Sequence, residues 1–371
     1  MSLKLLSIMQ NKFILLCAAT VALAACAKTE VTPEVLNQDA EITFLTAPVT
    51  KTAAENEKTF ANTNVFQTAA FYDVNAFAYS SSTAETYIAP STVKYFTSVW
   101  KVADAQGNAK SYYWPKDGGK LSFFSWSLNT GSLAFAQGTP TVDINKTDGV
   151  KLTGYSSLKN DDFMVADAAL DMTQNDKTPK YYTEGVPTLF HHRTAKVEIK
   201  VMTKENYEDA TKFGTFMQDF KLNEIKFANL LTNGDYTQAS GAWSNTAETA
   251  SASYYVNNAT NCQDITATAT TVDTANSTDG SVCLYLPQDF TSTDKTLEVK
   301  YTVTRLKDAS TTGSSKEYTK SIKMSEILGT GVSFEMGKKY VITLIFGLDE
   351  ILWDPAVYEW EVGVEKEYSI K

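Results

Sequence analysis

The stretch "AKVEIKV", Ala195 to Val201, decides the fold. Val197, Ile199 and Val201 alternate with Lys196, Glu198 and Lys200, and a period of two predicts a strand with one face on a core and the other in water. Immediately upstream, a loop rich in Lys, Tyr and Pro gives way to this strand, which predicts a domain boundary between Pro187 and Ala195. Further out, "EITFLT" (Glu41 to Thr46), "VNAFAY" (Val74 to Tyr79), "LSFFSW" (Leu121 to Trp126), "LNEIKFANL" (Leu222 to Leu230), "SVCLYLP" (Ser281 to Pro287), "LEVKYTVTRL" (Leu297 to Leu306) and "YVITLIF" (Tyr340 to Phe346) are short runs rich in Val, Ile, Tyr, Phe and Thr. Clusters of Asn, Asp, Ser, Gly and Thr separate them, so they read as strands joined by loops. Helical periodicity is scarce, with one weak helical turn expected in Asn206 to Phe220. The reading is all-β, with strands paired into antiparallel sandwiches.

The N-terminus has a different grammar. Lys4 and Lys12 precede an uncharged run from Phe13 to Ala25, too short to cross a bilayer of roughly 30 Å and shaped as a secretory signal. It ends in "LAAC", Leu23 to Cys26, the order of a bacterial lipobox, which predicts acylation of Cys26. Removing residues 1–25 takes the formal net charge from −10 to −12, an acidic balance that argues against nucleic acid as a partner. The remaining 346 residues exceed one hydrophobic core and suggest two domains. The expected layout is a signal at 1–25, a linker at 26–40, and sandwich domains at 41–190 and 191–371. Of the four cysteines, Cys262 and Cys283 remain for the globular part. They are read either as a disulfide, contributing about 3 kcal/mol through loop closure, or as two free thiols in a core.

The residue types that carry chemistry are few and wrongly spaced. His191 and His192 are the two histidines, and neighbours in a strand point to opposite faces, which precludes a two-His metal site. "GVSFEMGKKY" (Gly331 to Tyr340) has a phosphate loop's glycines at the wrong spacing and no Ser or Thr after Lys338, so it reads as a turn into a strand. "DINKTDG" (Asp143 to Gly149) lacks the glycine position and terminal Glu of a calcium loop. No catalytic pair, metal set or cofactor motif emerges, and the chain does not read as an enzyme. Tyr113, Trp114 and Pro115, followed by Leu121, Phe123 and Trp126, are expected to wedge aromatic bulk into the N-terminal core. The alternative is an exposed aromatic platform that stacks on sugars. Leu222, Ile225, Phe227 and Trp243 are the expected core of the second domain. At the C-terminus, Tyr358, Trp360, Val362 and Val364 alternate with Glu359, Glu361, Gly363 and Glu365, predicting a final strand with one apolar face that packs within its own chain.

In order along the chain stand the lipobox, "EITFLTAPVTKTA" (Glu41 to Ala53), "YYWPKDGGKLSFFSWS" (Tyr112 to Ser127), "DDFMVADA" (Asp161 to Ala168), "LFHHRTAKVEIKV" (Leu189 to Val201), "NEIKFANLLTNGDY" (Asn223 to Tyr236) with "SGAWS" (Ser240 to Ser244), "LYLPQDF" (Leu284 to Phe290) and "KKYVITLIFGLDEILWDPAVYEW" (Lys338 to Trp360). This series resembles the fimbrillin family of Bacteroidales, lipoprotein-derived subunits of surface fimbriae. The resemblance implies two transthyretin-like β-sandwich domains in tandem and export through the periplasm to the outer membrane, with the lipid on Cys26 as anchor. It also implies assembly with other fimbrial subunits by β-strand exchange. A tip subunit would add host or bacterial surface ligands as partners. Stalk subunits of that family are cut after a basic residue, commonly arginine. Here the first arginine is Arg193, leaving Lys51 and Lys58 as the basic residues near the first strand, a departure that points to an unpolymerised tip or anchor or to a protease of different specificity. A rival from another class is a glycan-binding surface lipoprotein of a polysaccharide-uptake system, which should expose coplanar aromatic rings where a fimbrial subunit buries them.

Overall fold

"LSFFSW" lacks the alternation of Ala195–Val201, and the structure shows why. It lies in the strand Lys120–Ser127, where every residue after Lys120 is buried, because both faces of its sheet are covered. The structure, a computed structural model, describes residues 40–46, 60–79, 83–136, 140–174, 185–214, 217–245, 249–257, 263–276, 281–291, 294–308, 311–348, 351–360 and 367–368.

The described chain is mostly strand, arranged in several sheets with little helix. In the N-terminal sheet the strands run, in spatial order, Val186–Pro187, Phe44–Leu45, Val99–Ala103, Glu85–Phe96, Phe66–Asp73, Lys120–Ser127, Met164–Ala166 and Phe190–His192. One face carries Phe44, Phe66, Trp100, Phe123 and Phe190 in a shared core. The other face packs Ala69, Phe71, Phe124, Trp126 and Val165 against a four-stranded sheet. That smaller sheet pairs Thr141–Asn145, Gly149–Ser156, Asn233–Thr237 and Ala242–Asn245.

The chain leaves the N-terminal sheet at His192 and enters the next at Ala195, with Arg193 and Thr194 between them. Ala195–Thr203 shows the strict alternation its sequence requires, with Val197, Ile199 and Val201 at 1% exposure or less. It lies beside Lys338–Phe346, which in turn pairs with Ile351–Glu359. A five-stranded sheet that includes Gln218–Leu231, Thr296–Asp308 and Thr311–Lys323 faces this one across a core containing Ile199, Leu222, Phe227, Val299, Tyr340 and Leu344. Glu41–Lys371 thus forms one compact unit, and the hairpin Asn233–Asn245 returns from the second half to pair with the first.

Three expectations need correction. Val74 to Tyr79 is not a strand: Phe66–Asp73 ends just before it, the Asp73 carboxylate accepts from the Asn75 N–H to turn the chain, and Phe77 and Tyr79 pack on Phe124 from a loop. Pairing is not antiparallel throughout: Ala195–Thr203 runs parallel to Lys338–Phe346 over eight register partners, and Phe44–Leu45 runs parallel to Val186–Pro187. Parallel neighbours require a long crossover, and here the crossover from Lys204 to Gly337 carries the facing sheet. Trp243 does not join Leu222, Ile225 and Phe227, which do share the second core. It packs on Tyr155, Phe163 and Tyr236 at 5.2, 6.3 and 5.6 Å between ring centroids, and its indole N–H donates to the Arg193 carbonyl at 2.6 Å. Alternation fixes which residues share a face, not which sheet covers it. The helical turn is real but small, Ala210–Phe213, capped by Asp209 accepting from the Thr211 N–H.

The region resembling a phosphate loop wraps a tyrosine instead. The Tyr340 hydroxyl donates to the Ser333 carbonyl at 2.6 Å and accepts from the Glu335 N–H at 2.9 Å. Gly337, at φ +68°, makes the turn into the strand.

Candidate assembly site

The segment Glu41–Thr46 opens the described chain, and its residues alternate as a half-buried strand should. Ile42, Phe44 and Thr46 point inward at 3%, 2% and 7% exposure. This leading strand sits in a slot. On one side Phe44 pairs with Trp100, and the Ile42 N–H donates to the Tyr112 carbonyl at 2.7 Å. On the other side, the Val186 and Thr188 N–H groups donate to the carbonyls of Thr43 and Leu45 at 2.7 and 2.8 Å. The slot is floored by rings, with Phe44 edge-on to Phe66 at 5.6 Å and to Phe123 at 6.0 Å. Full burial of two such apolar side chains, Ile42 and Phe44, contributes about 1.5–3 kcal/mol each and holds the segment in place.

Gly185 shapes the slot's edge. Its φ is +141°, and a Cβ there would lie 2.9 Å from both the Phe44 carbonyl carbon and the Thr43 carbonyl oxygen. Only a residue without a side chain lets the two backbones approach this closely.

Glu41 ties down the strand's first residue, with Lys101 donating to Oε2 at 2.6 Å and Ser111 to Oε1. Burial pulls its carboxyl upward, but hydrogen bonds from Lys101 and Ser111 together with the Lys101 charge outweigh it. Its pKa therefore lies below the ordinary 4.5. A depressed carboxylate stabilises the fold fully above its unfolded pKa, and that contribution is lost as pH falls through the folded value. Glu41→Gln should therefore lower stability at pH 7 by about 1 kcal/mol or less, as expected for a partly exposed pair. The difference should vanish well below pH 4.5. Urea unfolding of both proteins at the two pH values checks this, and an equal difference at both would contradict it.

At the other end of the chain, Ile351–Glu359 pairs antiparallel with Lys338–Phe346 of its own chain through nine register partners. This strand starts seven residues before Tyr358. Val357 packs on the core, which gives Tyr358 the opposite parity. Trp360 follows, its ring stacked on His192 at 3.6 Å and 10° between planes, and its N–H donates to the Gly337 carbonyl at 2.5 Å. His192 is buried, with Nδ1 2.7 Å from an Asp162 oxygen, while His191 meets Asp167 at 3.1 Å on the opposite face. The histidines are thus split between the two sides of their strand, each with its own carboxylate. Val362 and Val364 lie outside the described residues, as do Cys26, Lys51 and Lys58. Of the expected cysteine pair, Cys262 also lies outside them. Cys283 is a half-buried thiol, unbonded among the described residues, and burial pushes its pKa up.

Of the aromatic motif, Leu121, Phe123 and Trp126 are buried, Trp114 is half-buried against Phe123 at 5.9 Å, and Tyr113 is exposed at 48%. Phe123 and Trp126 serve opposite faces of the sheet. Among the described residues, no group of three or more His, Cys, Asp or Glu could hold a metal ion, and no helix is long and apolar enough to cross a membrane.

Layered sheets around aromatic cores, with a short strand clasped in a backbone slot, define a mostly-β protein of several sheets. The sequence profile of the fimbrillin-like family matches residues 59–360. The chain belongs to that family, whose members are structural proteins, and it is not an enzyme. A crystal structure of a fimbrial protein from Bacteroides vulgatus is similar over 86% of this chain and 99% of its own, at 13% identity and a TM-score of 0.59. The tip fimbrial protein Mfa3 from Porphyromonas gingivalis, solved with a C-terminal truncation, aligns over 86% of this chain and 100% of its own, at 11% identity and a TM-score of 0.35. At these identities the first likeness supports the fold alone, and the second carries no argument. No curated protein matches the chain.

Proposed function

We propose that this chain is a subunit of surface fimbriae, of the tip or anchor kind, in which the slot now holding Glu41–Thr46 is the place where a neighbouring subunit's strand enters. The observation that carries this reading is the slot itself: an extended segment, Glu41–Thr46, with the two-residue strand Phe44–Leu45 at its centre, hydrogen-bonded on both sides and anchored by Ile42 and Phe44, at an edge made close-fitting by Gly185. An emptied slot would expose unpaired backbone groups and an apolar floor, and a donated strand satisfies both. Donation from one subunit to the next does not close on itself, so it extends a filament. In this reading the two halves are tandem transthyretin-like sandwiches, meeting near residues 190 and 191.

The chain's arginines argue for a terminal place in the filament. There are two, Arg193 and Arg305. Arg193 donates to the Val165 carbonyl at 3.0 Å within the fold, and Arg305 lies in the strand Thr296–Asp308. Neither is near the leading strand, so an arginine-specific protease leaves that strand in place. Release of the leading strand therefore requires a cut at Lys51 or Lys58, by a protease of different specificity. The C-terminal strand pairs within its own chain, which suits a subunit that receives a strand without giving one.

Attachment follows from Cys26, exported through the periplasm and acylated for the outer membrane. One acyl chain binds membranes only marginally and two hold firmly, which is what a diacylglycerol cysteine supplies. Cys26→Ala should move the protein out of the membrane fraction, as read by fractionation and immunoblotting. Wild-type recovery in the membrane would contradict it. Immunogold electron microscopy tests the function as a whole: label at fimbrial ends or bases is expected, and label only on the bare cell surface would overturn the reading.

A further inference from the structure

On the N-terminal sheet, two tyrosines of adjacent strands present their rings to a common groove. Tyr72 lies on Phe66–Asp73 and Tyr87 on Glu85–Phe96, and Tyr72 is the register partner of Glu85. The ring centroids are 6.4 Å apart and the planes 30° from parallel. Both rings are pinned by their hydroxyls: Tyr72 donates to Asp117 Oδ2 at 2.7 Å and Tyr87 to the Tyr113 carbonyl at 2.6 Å. The turn that carries Asp117 is closed by the Gly119 N–H donating to Oδ1 at 3.0 Å, and a Cβ at Gly119 would lie 2.0 Å from the Tyr72 ring. Glycine therefore lets the turn lie flat against the tyrosine.

The result is an open groove of about 370 Å³ bounded by Tyr72, Tyr87, Pro115, Glu85, Lys116 and Asp117. Its size is at the small end of ligand sites, which run from about 300 to 1,000 Å³. Two tyrosine rings, a proline and Thr86 line it together with two carboxylates and one ammonium. We infer that this groove binds a neutral pyranose of a glycan, the C–H face of the sugar on the tyrosine rings and its hydroxyls on Asp117, Glu85 and Lys116. A pyranose combines one apolar face with a ring of hydroxyl donors, which is the complement of this lining. Rings already held in place lose little freedom on binding. The Tyr72 hydroxyl and the Gly119 N–H hold the Asp117 carboxyl below the usual carboxylate range, so it stays an ionised acceptor. Two acids against one lysine, on a chain of net charge −10, disfavour uronic and other acidic sugars.

Saturation-transfer NMR on the purified protein, with the methyl glycosides of glucose, galactose, mannose and glucuronic acid as separate probes, tests the inference. At least one neutral glycoside should show transfer to its ring C–H protons, with the glucuronide about tenfold weaker or silent. Tyr87→Ala should abolish the transfer. Glu85→Gln, an exposed change that leaves the core intact, should weaken it severalfold, so the test stands even if Tyr87→Ala loses its fold. Silence from all three neutral glycosides, equal response to the glucuronide, or unchanged transfer in Glu85→Gln would overturn the assignment. Binding of a lysine-rich peptide in place of any sugar would also overturn it, making the groove an acidic peptide site.

Discussion

Phe44→Ala should destabilise the protein by about 3–5 kcal/mol, the range for truncating a buried phenylalanine. Phe44 is 2% exposed and meets Phe66 and Phe123 edge-on, at 83° and 86° between ring planes. Truncation removes both contacts and leaves a cavity that the flanking strands, fixed by their own ladders, cannot close. The same side chain is the main anchor of Glu41–Thr46, so the loss should also free that segment. Gly185→Val approaches the slot from outside. It removes no core atom, yet it sets a branched side chain against the Phe44 backbone at a φ that such residues rarely adopt. It too should release the leading strand. Urea unfolding gives the stability change, and amide hydrogen exchange of Ile42 to Leu45 reports the local release. A change below about 1 kcal/mol for Phe44→Ala would mean that the leading strand is not part of the cooperative unit.

Phe334→Ala should cost a similar amount, about 3–5 kcal/mol, although its neighbourhood in sequence looks like a loop. Phe334 is 1% exposed and its ring lies 4.7 Å from Phe290, 4.9 Å from Tyr340 and 5.6 Å from Tyr285. It belongs to a two-residue strand, Ser333–Phe334, paired with Gln288–Asp289, so it joins two otherwise irregular segments to the second core. The loss should appear in the same urea titration. Unfolding at the wild-type midpoint would show that this ring cluster is not a centre of stability.

What the sequence makes legible is local. Alternation in Ala195–Val201 locates a strand and its buried face without reference to anything distant, and Asp117 with Gly118 and Gly119 announces a turn. The slot is different, because it depends on Phe44 meeting Phe123 and on Gly185 passing beside Thr43, contacts between residues far apart in the chain. Trp243 shows the same limit, since nothing in "SGAWS" says that its hairpin will cross back to Gly149–Ser156. The lack of alternation in "LSFFSW", with Phe123 and Phe124 adjacent and no charged residue, was the available signal that its sheet is covered twice. The tyrosine groove is hidden for a simpler reason: Tyr72 and Tyr87 become neighbours only through strand register, and the turn that completes their site begins far downstream.

The central claim, that the leading-strand slot is the assembly site, can be tested by locking the slot shut. Leu45 and Pro187 are register partners on adjacent strands, and strands about 4.8 Å apart place such pairs within disulfide reach. A Leu45→Cys, Pro187→Cys double variant, produced in its native cells, would be compared in oxidised and reduced forms for incorporation into sheared, purified fimbriae. The account predicts that the oxidised form stays out of the fimbriae while the reduced form enters at the wild-type level. Equal incorporation of both forms would show that assembly does not require Glu41–Thr46 to leave its slot and uses another surface.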